Sequence, residues 1–461
     1  MQSRSQGSQR PNKRARISID AVRNEAPTTR LNVFVFGSGE SAELGLGPGV
    51  FNRKSPLCAK SPRLNHILAA EESGIVQLAV GGMHCAALTG NGKVLTWGVN
   101  DSMALGRDTT WVEPDDDEEG MPDLNPLEST PMAVENLQGI GDIVQVAAAD
   151  NSTFVLTAAG QVYGWGTFNG DDGPFGFLKE AMQLHDKPSH KEKFSLKPAH
   201  IPGLSGIKEL AAGGNHILAL THSGNVYSWG AGHHAELGRR VISRRPFEAL
   251  NPRLVALPQN HITSVYAGHH HSFAIDVAGR VFSWGLNNFG QTGHSSDRDN
   301  FHIATPTIVE SLQGVQILHM SAGFHHSVAC TQDGGVFTWG RCDDAQIGVA
   351  LNTIHPGNLR FDARNQPRIV TKPTLVKGID AVFVAAGIDN TIAVTRDGKT
   401  LSWGFSANYR TGLRTEDSVQ IPTLLKGTEL DTSHISFAAC GGQFSVVAGP
   451  AAEKKDEVME G

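Results

Sequence analysis

Four histidines, His84, His216, His271 and His326, head the same kind of phrase: "HCAALT", "HILALT", "HSFAID" and "HSVACT". Two further runs, "GHHAELG" from Gly232 and "GHHHSF" from Gly268, crowd imidazoles still closer. Imidazole can act as a general base or ligate a metal, so the spacing decides. Neighbouring histidines on a strand point to opposite faces, and no Cys or acidic set stands at zinc-ligand spacing. No nucleophile or acid recurs beside the histidines. No Gly-x-Ser-x-Gly elbow and no phosphate-cradling loop with its Lys occurs. The sequence therefore predicts no metal site, no cofactor and no bond-making catalysis. Each repeated His is expected to hydrogen-bond a turn. The five cysteines, Cys58, Cys85, Cys330, Cys342 and Cys440, form no CxxC pair and predict free thiols in a reducing compartment.

The elements that carry these histidines repeat with them. Trp-Gly pairs fall at Trp97, Trp165, Trp229, Trp284, Trp339 and Trp403, separated by 68, 64, 55, 55 and 64 residues. Each is preceded by a run ending in small residues ("VQLAVGG" from Val76, "IKELAAGG" from Ile207), then by the run headed by His, then by a Gly turn and a third run ("KVLTWG", "NVYSWG"). Short β-branched and aromatic runs split by Gly turns are strands in hairpins. A seventh copy is divided. "ISFAACGGQFSVVAG" from Ile435 supplies its first two strands, and "LNVFVFGSGESAELG" from Leu31 supplies the third, with Phe36-Gly37 in the Trp-Gly place. A copy split between the ends closes a ring and removes its open edge. The predicted fold is an all-β, seven-bladed β-propeller of four-stranded blades, the N-terminal strand pairing into the C-terminal blade. It is expected over residues 31–449, with a disordered basic tail over 1–30 and a disordered charged tail over 450–461. Gly permits the tight turns, and Trp or Phe fills the space between blades.

The 461 residues carry a formal net charge of -7, which excludes a general nucleic-acid binder and confines any basic surface to local patches. No apolar run reaches the roughly 18 residues of a membrane span, so no membrane partner is expected. No secretory signal opens the sequence.

The repeated unit, with "GGMHCAALTGNGKVLTWGVNDSMALGRDT" over 81–109 as its fullest copy, resembles that of the regulator of chromosome condensation family. The resemblance covers about 31–449. The WD-repeat pattern does not fit, because no Gly-His and Trp-Asp pair frames each blade. Four features resemble the family's nuclear exchange factors: a short basic tail, a single propeller, the extra segment "TFNGDDGPFG" after Trp165-Gly166, and the basic stretch "GRRVISRRPFEALNPR" after the fourth copy. The resemblance implies a nuclear, chromatin-associated guanine-nucleotide exchange factor for the small GTPase Ran, acting in nucleocytoplasmic transport and mitosis. Its implied partners are Ran, nucleosome histones and DNA, and a nuclear import receptor engaged through the tail.

Positions that vary between copies at one geometrical place can serve recognition. The two residues before the repeated His read Gly82-Met83, Asp150-Asn151, Gly214-Asn215, His269-His270, Phe324-His325, Ile388-Asp389 and Gly442-Gln443. They lie on a strand-connecting loop, so one face of the ring should display them together; a drifting solvated loop would vary too. The resemblance places GTPase contacts at Asp150, at His325 in "GFHH", at Glu40 where the family has Asp, at Arg239, and at Asn215, where the family's "GNDH" has become "GGNH". Asn keeps the size and one acceptor but loses the charge. Thr167, Phe168, Asn169, Asp171, Asp172 and Pro174 fall in the segment that resembles the family's β-wedge, although Gly-Asp-Asp-Gly-Pro is also ordinary turn chemistry. Lys13, Arg14 and Arg16 of the tail, with Arg240, Arg244 and Arg245 of the basic loop, are the expected chromatin contacts, since Arg pairs bidentately with carboxylates and phosphates. The acidic run over 111–123 and the insert over 178–194 receive no role, though the latter can form a short helix. Two other readings stay open: an interaction propeller acting as a ubiquitination or scaffolding adaptor, and a chromatin module that has lost exchange, which Asn215 keeps in play.

Overall fold

A computed structural model of the chain describes residues 23–112, 124–182, 189–295 and 301–451. Lys13, Arg14 and Arg16, most of the acidic run and the C-terminal tail beyond Ala451 lie outside the described residues. Seven antiparallel sheets stand around an axial channel of about 960 Å³, each with its first strand innermost. Six have four strands, and the sixth blade gains a fifth, Leu359–Phe361, paired outside Pro367–Val376. The ring closes as the split copy requires. Strand Leu31–Ser38 pairs antiparallel with Phe444–Pro450, Leu31 opposite Pro450 and Gly37 opposite Phe444. Among the described residues helix is limited to single turns, Lys179–Met182 in the insert being one. The split copy is called blade 1 below, and the others follow in chain order.

The tail is ordered nearer to the ring than its composition suggests. Asn24 reaches the opposite side of the ring from its own blade: its N–H donates to Ala158 O at 3.0 Å, and its side chain donates to Thr157 O at 3.3 Å and Ile207 O at 2.8 Å. Ala26 packs on the apolar clusters of blades 2–3 and 3–4. Residues 23–30 thus form an arm beneath blade 2, held by three backbone carbonyls.

The blades join by a repeated device. Each Trp is buried against the preceding blade, as Trp165 is against Ala86, Leu88 and Val94. The indole N–H of every one of them but Trp229 donates to one loop carbonyl of that blade: Trp97 to Glu43 O, Trp165 to Ala104 O, Trp284 to Glu236 O, Trp339 to Gln291 O and Trp403 to Gln346 O, all at 2.7–3.0 Å. The glycine after each Trp has φ between 97° and 121°. At Gly98 a Cβ would lie 2.4 Å from Met83 O, so only Gly fits there.

The repeated His does not bond a turn, as the sequence suggested, but reaches the next blade. Nε2 of His84, His216, His271 and His326 meets the hydroxyl of Thr153, Ser272, Ser327 and Thr391 at 2.7–2.8 Å. Each hydroxyl then donates to the carbonyl that takes the indole N–H. Three blades depart from His here: Asn390 keeps the link, its Nδ2 donating to Ser445 Oγ at 3.3 Å, and the other two give it up. Where Ser152 replaces His, the facing residue is Ile217; where Phe444 replaces it, the facing residue is Cys85. Blade 1 already places Phe at this position, so His271→Phe should fold while losing the bond and leaving Ser327 with its one acceptor. The expected cost is about 1 kcal/mol, read as a lower urea midpoint at unchanged m-value.

Candidate functional site

The residues two places before the repeated His gather at one mouth of the channel. Their loops are stitched rather than drifting. The N–H groups of Asp150, Gly214, His269 and Phe324 each donate to the next blade's loop, at Gly214, His269, Gly323 and Gly387 O. Asp150, His269 and Phe324 line the channel mouth.

Beside them rises the segment after Trp165-Gly166. It is a two-stranded hairpin, Phe168–Gly170 against Gly173–Gly176, with Asn169 opposite Pro174 and Asp171 and Asp172 exposed at the tip. Its root is in the core. Phe168 is fully buried and stacks with Phe154 and Phe177, whose ring centroids lie 5.7–5.9 Å apart; the edge of Trp229 completes the stack. Thr167 Oγ1 donates to Lys193 O at 2.8 Å. Thr167 and Phe168 are therefore the buried anchors of the segment expected as the wedge, and only its tip is offered to solvent. Asn215 Oδ1 accepts from Asn169 N at 2.7 Å. The departure from the family's Asp thus keeps the acceptor that fixes the hairpin, and no charge is needed for that bond. On its outer side the hairpin leans on blade 4. Asp171 lies 3.6 Å from His234 Nε2 and 4.0 Å from His233 Nδ1, and Phe175 packs on His233 and Phe247.

The hairpin occupies the place where the other blades carry the carbonyl-donating loop. Among the described residues Trp229 Nε1 consequently has no partner, and neither has Ser152 Oγ. The junction of blades 3 and 4 is held by stacked rings where its counterparts are held by hydrogen bonds.

Asp150 Oδ2 lies 2.6 Å from His269 Nε2. From His269 an unbroken run of rings leads to Phe324, His325 and Phe289, with centroids 4.0–4.5 Å apart, and another through His270 to His234 beside the hairpin tip. Burial, helped by the cation of Arg341, depresses the pKa of His325 to about 4, and burial among other imidazoles depresses that of His270 to about 2. Both are neutral rings at pH 7. Arg341 is held by Asp343 at 2.5 Å, Asp344 at 2.8 Å and Asp389 at 3.3 Å. Glu40 is exposed in the blade 1 loop on the same face, where its backbone N–H donates to Ser38 Oγ. It makes no contact with Asp150.

Arg239 needs correction. Its Nη2 donates to Ser228, Ala249 and Asn251 O at 3.0–3.3 Å, and burial lowers its pKa to about 10. Arg107 occupies the same repeat position and donates to Thr96 O at 2.8 Å and to Leu127 O, with the same depression. Both arginines tie a loop to the blade. Arg240, Arg244 and Arg245 are exposed. Their loop runs into the turn Pro246–Leu250, whose Phe247 braces the hairpin and whose Glu248 pairs with Lys179 at 2.7 Å.

The sequence reading singled out neither His269 nor the His233, His234 and Phe175 cluster. The signal for His269 was present: among the varying pairs, His269-His270 is the only one with two titratable side chains. Among the described residues no group of three or more His, Cys, Asp or Glu could hold a metal ion, and no helix is long and apolar enough to cross a membrane.

The RCC1-like domain pattern matches residues 32–447. The guanine nucleotide exchange factor SRM1 of Saccharomyces cerevisiae is 36% identical over 93% of this chain and 90% of its own length. The crystal structure of Prp20p from the same yeast, described with its binding properties to Gsp1p and histones, superposes with a TM-score of 0.82 at 35% identity, covering 94% of both chains. The structure of yeast RCC1 (Prp20) bound to Kap60 superposes with a TM-score of 0.83 at 34% identity, covering 98% of both.

Proposed function

The chain belongs to the RCC1-like domain family, and from that premise we propose that it is the guanine-nucleotide exchange factor for the small GTPase Ran, working on chromatin in the nucleus. One observation carries the reading: a short, core-anchored hairpin stands beside an oriented carboxylate on the loop face.

Exchange involves no bond chemistry. A small GTPase holds its nucleotide through a phosphate-cradling loop, a Lys and Mg²⁺. A partner that prefers the empty GTPase must weaken nucleotide binding by the same factor. The hairpin is the rigid part, and its exposed tip, Asp171 and Asp172 with Pro174 behind them, presses on the phosphate loop. Asp150 and Glu40 take the cationic groups that leave the phosphates. Asn215 keeps the hairpin in register, His325 gives the partner an uncharged imidazole surface, and Arg239 holds the loop from which the basic segment departs. The factor sets no direction; the nucleotide in excess does.

Arg240, Arg244 and Arg245 are offered to histone carboxylates or DNA phosphates. The tail, with Lys13, Arg14 and Arg16, is the segment for DNA and for a nuclear import receptor. Asn24 clasps the face opposite the hairpin, so both ends of the molecule can be engaged together.

Release of a fluorescent GDP from purified Ran tests this. The wild-type chain should accelerate release strongly, and Asp150→Ala should lose at least about tenfold, the scale of one hydrogen bond to a charged group. A well-folded preparation that leaves release unchanged would sink the reading in favour of a non-exchanging adaptor.

A further inference from the structure

The inner ring of loop residues at the channel mouth reads Gly82, Asp150, Gly214, His269, Phe324, Ile388 and Gly442 in blade order from 2 through 7 to 1. Asp150 and His269 belong to blades 3 and 5, which are not neighbours. They meet because blade 4 contributes Gly214 between them. A Cβ there would lie 2.9 Å from Cδ2 and Cγ of His269 and equally close to its backbone O, so it could be admitted only by moving both the ring and the loop. The ring is fixed on its other side, where Phe324 lies 4.0 Å away at 30° and His270 stands edge-on at 4.2 Å. The pair is three-quarters buried, with side-chain exposures of 26% for Asp150 and 23% for His269. One carboxylate oxygen, Oδ2, is taken by His269 Nε2 at 2.6 Å. The other, Oδ1, faces blade 2 over Gly82, a second residue without a side chain: a Cβ at 82 would be 3.1 Å from it.

We propose that His269 is the positioning residue of the exchange site: it pins one oxygen of Asp150 so that the other is presented, in a fixed orientation over Gly82, to a cationic or N–H group of the GTPase. The inference rests on the exchange reading above. A carboxylate on a short side chain at a wide channel mouth could otherwise turn inward, and ordering it would fall on the encounter with the partner. Holding one immobilised side chain in advance is worth about three- to tenfold in association. A Gly on either side of Asp150 leaves His269 as its only side-chain partner among the described residues.

The test uses the full chain and fluorescent-GDP release from Ran. His269→Ala should lower kcat/KM about three- to tenfold, at a thermal midpoint close to wild type. His269→Gln, whose amide N–H reaches about as far as the imidazole Nε2, should restore most of the rate; a purely structural imidazole would not be rescued. His269→Phe keeps an aromatic ring against Phe324 and removes the nitrogen that meets Asp150, so it should match His269→Ala, which covers the case of an unstable His269→Ala. In an Asp150→Ala background, His269→Ala should cost nothing more. Losses that multiply in the double variant, or a wild-type rate for His269→Ala, overturn the positioning role while leaving the exchange function standing. An Asp150→Ala protein that exchanges at the wild-type rate refutes the placement of the site itself, and the positioning role with it.

Discussion

Excising the hairpin, by joining Phe168 to Gly176 through Gly-Gly in place of residues 169–175, is expected to lower GDP release from Ran by about a hundredfold, near the top of the usual coupling range between two ligands, while the propeller still folds. The architecture separates the two outcomes. Phe168 and Phe177 stay in the stack with Phe154 and Trp229, so the fully buried rings of the core are kept. The lost packing is that of Phe175 on Phe247 and His233, a half-buried contact worth about 1 kcal/mol. What disappears is the stiff protrusion. Asp171→Asn with Asp172→Asn is the companion experiment, since it keeps the shape and removes the charge. A small effect there beside a large effect of excision assigns the work to shape. An excised protein that exchanges at full rate would remove the hairpin from the mechanism.

Acid should loosen the ring well before ordinary carboxylates protonate. His84, His216 and His326 are fully buried and His319 is half-buried against the channel, with pKa values pushed down by desolvation to about 4, 3, 3 and 4; His271 is driven well below the usual range, and His270 and His325 titrate at about 2 and 4. An imidazole that titrates lower in the folded chain binds its proton first in the unfolded one. Its stabilisation is whole above about pH 6.5 and is lost as pH falls towards the folded value. Each contributes about 1 kcal/mol between about pH 7 and 5.5. Glu236 and Glu209 work the other way. Burial raises them to about 8 and 7, so their stabilising term grows as pH falls from the folded value towards about 4.5, and together they return about 4 kcal/mol over the same window. The seven imidazoles outweigh these two carboxylates, so stability falls over this window by on the order of a few kcal/mol, a large share of the roughly 5–15 kcal/mol that holds a domain. Urea melts at the two pH values measure it directly, and stability that is flat or higher at the lower pH contradicts the assignment of neutral buried imidazoles.

Much of this was legible in the chain because a repeat allows comparison with itself. The Trp-Gly spacing and the divided copy fix seven blades and their closure. Comparing adjacent copies could also have shown that Ser152 faces Ile217 and Phe444 faces Cys85, the two places where the interblade bond is absent. Arg239 was equally readable as a strut, because Arg107 follows Gly at the same place. The meeting of Asp150 with His269 was not readable: it joins residues of non-adjacent blades across a glycine, and no local pattern encodes that distance. Nor was the clasp of Asn24, which lies outside the repeat and bonds only to backbone.

Closure by the first strand has a consequence for how the chain is made. Strand Leu31–Ser38 leaves the ribosome before the other strands of the ring; its outer neighbour Cys58–Leu64 follows soon after, yet its inner neighbour Phe444–Pro450 is the last strand made. At about 5–20 residues per second, the roughly 400 intervening residues take on the order of 20–80 s. Throughout that time Val33, Val35 and Phe36, all fully buried in the finished ring, have no completed sheet to enter. A nascent chain of this design is a standing client for chaperones, and one truncated late, near residue 435, would carry six sound blades and an unpaired, sticky N-terminus.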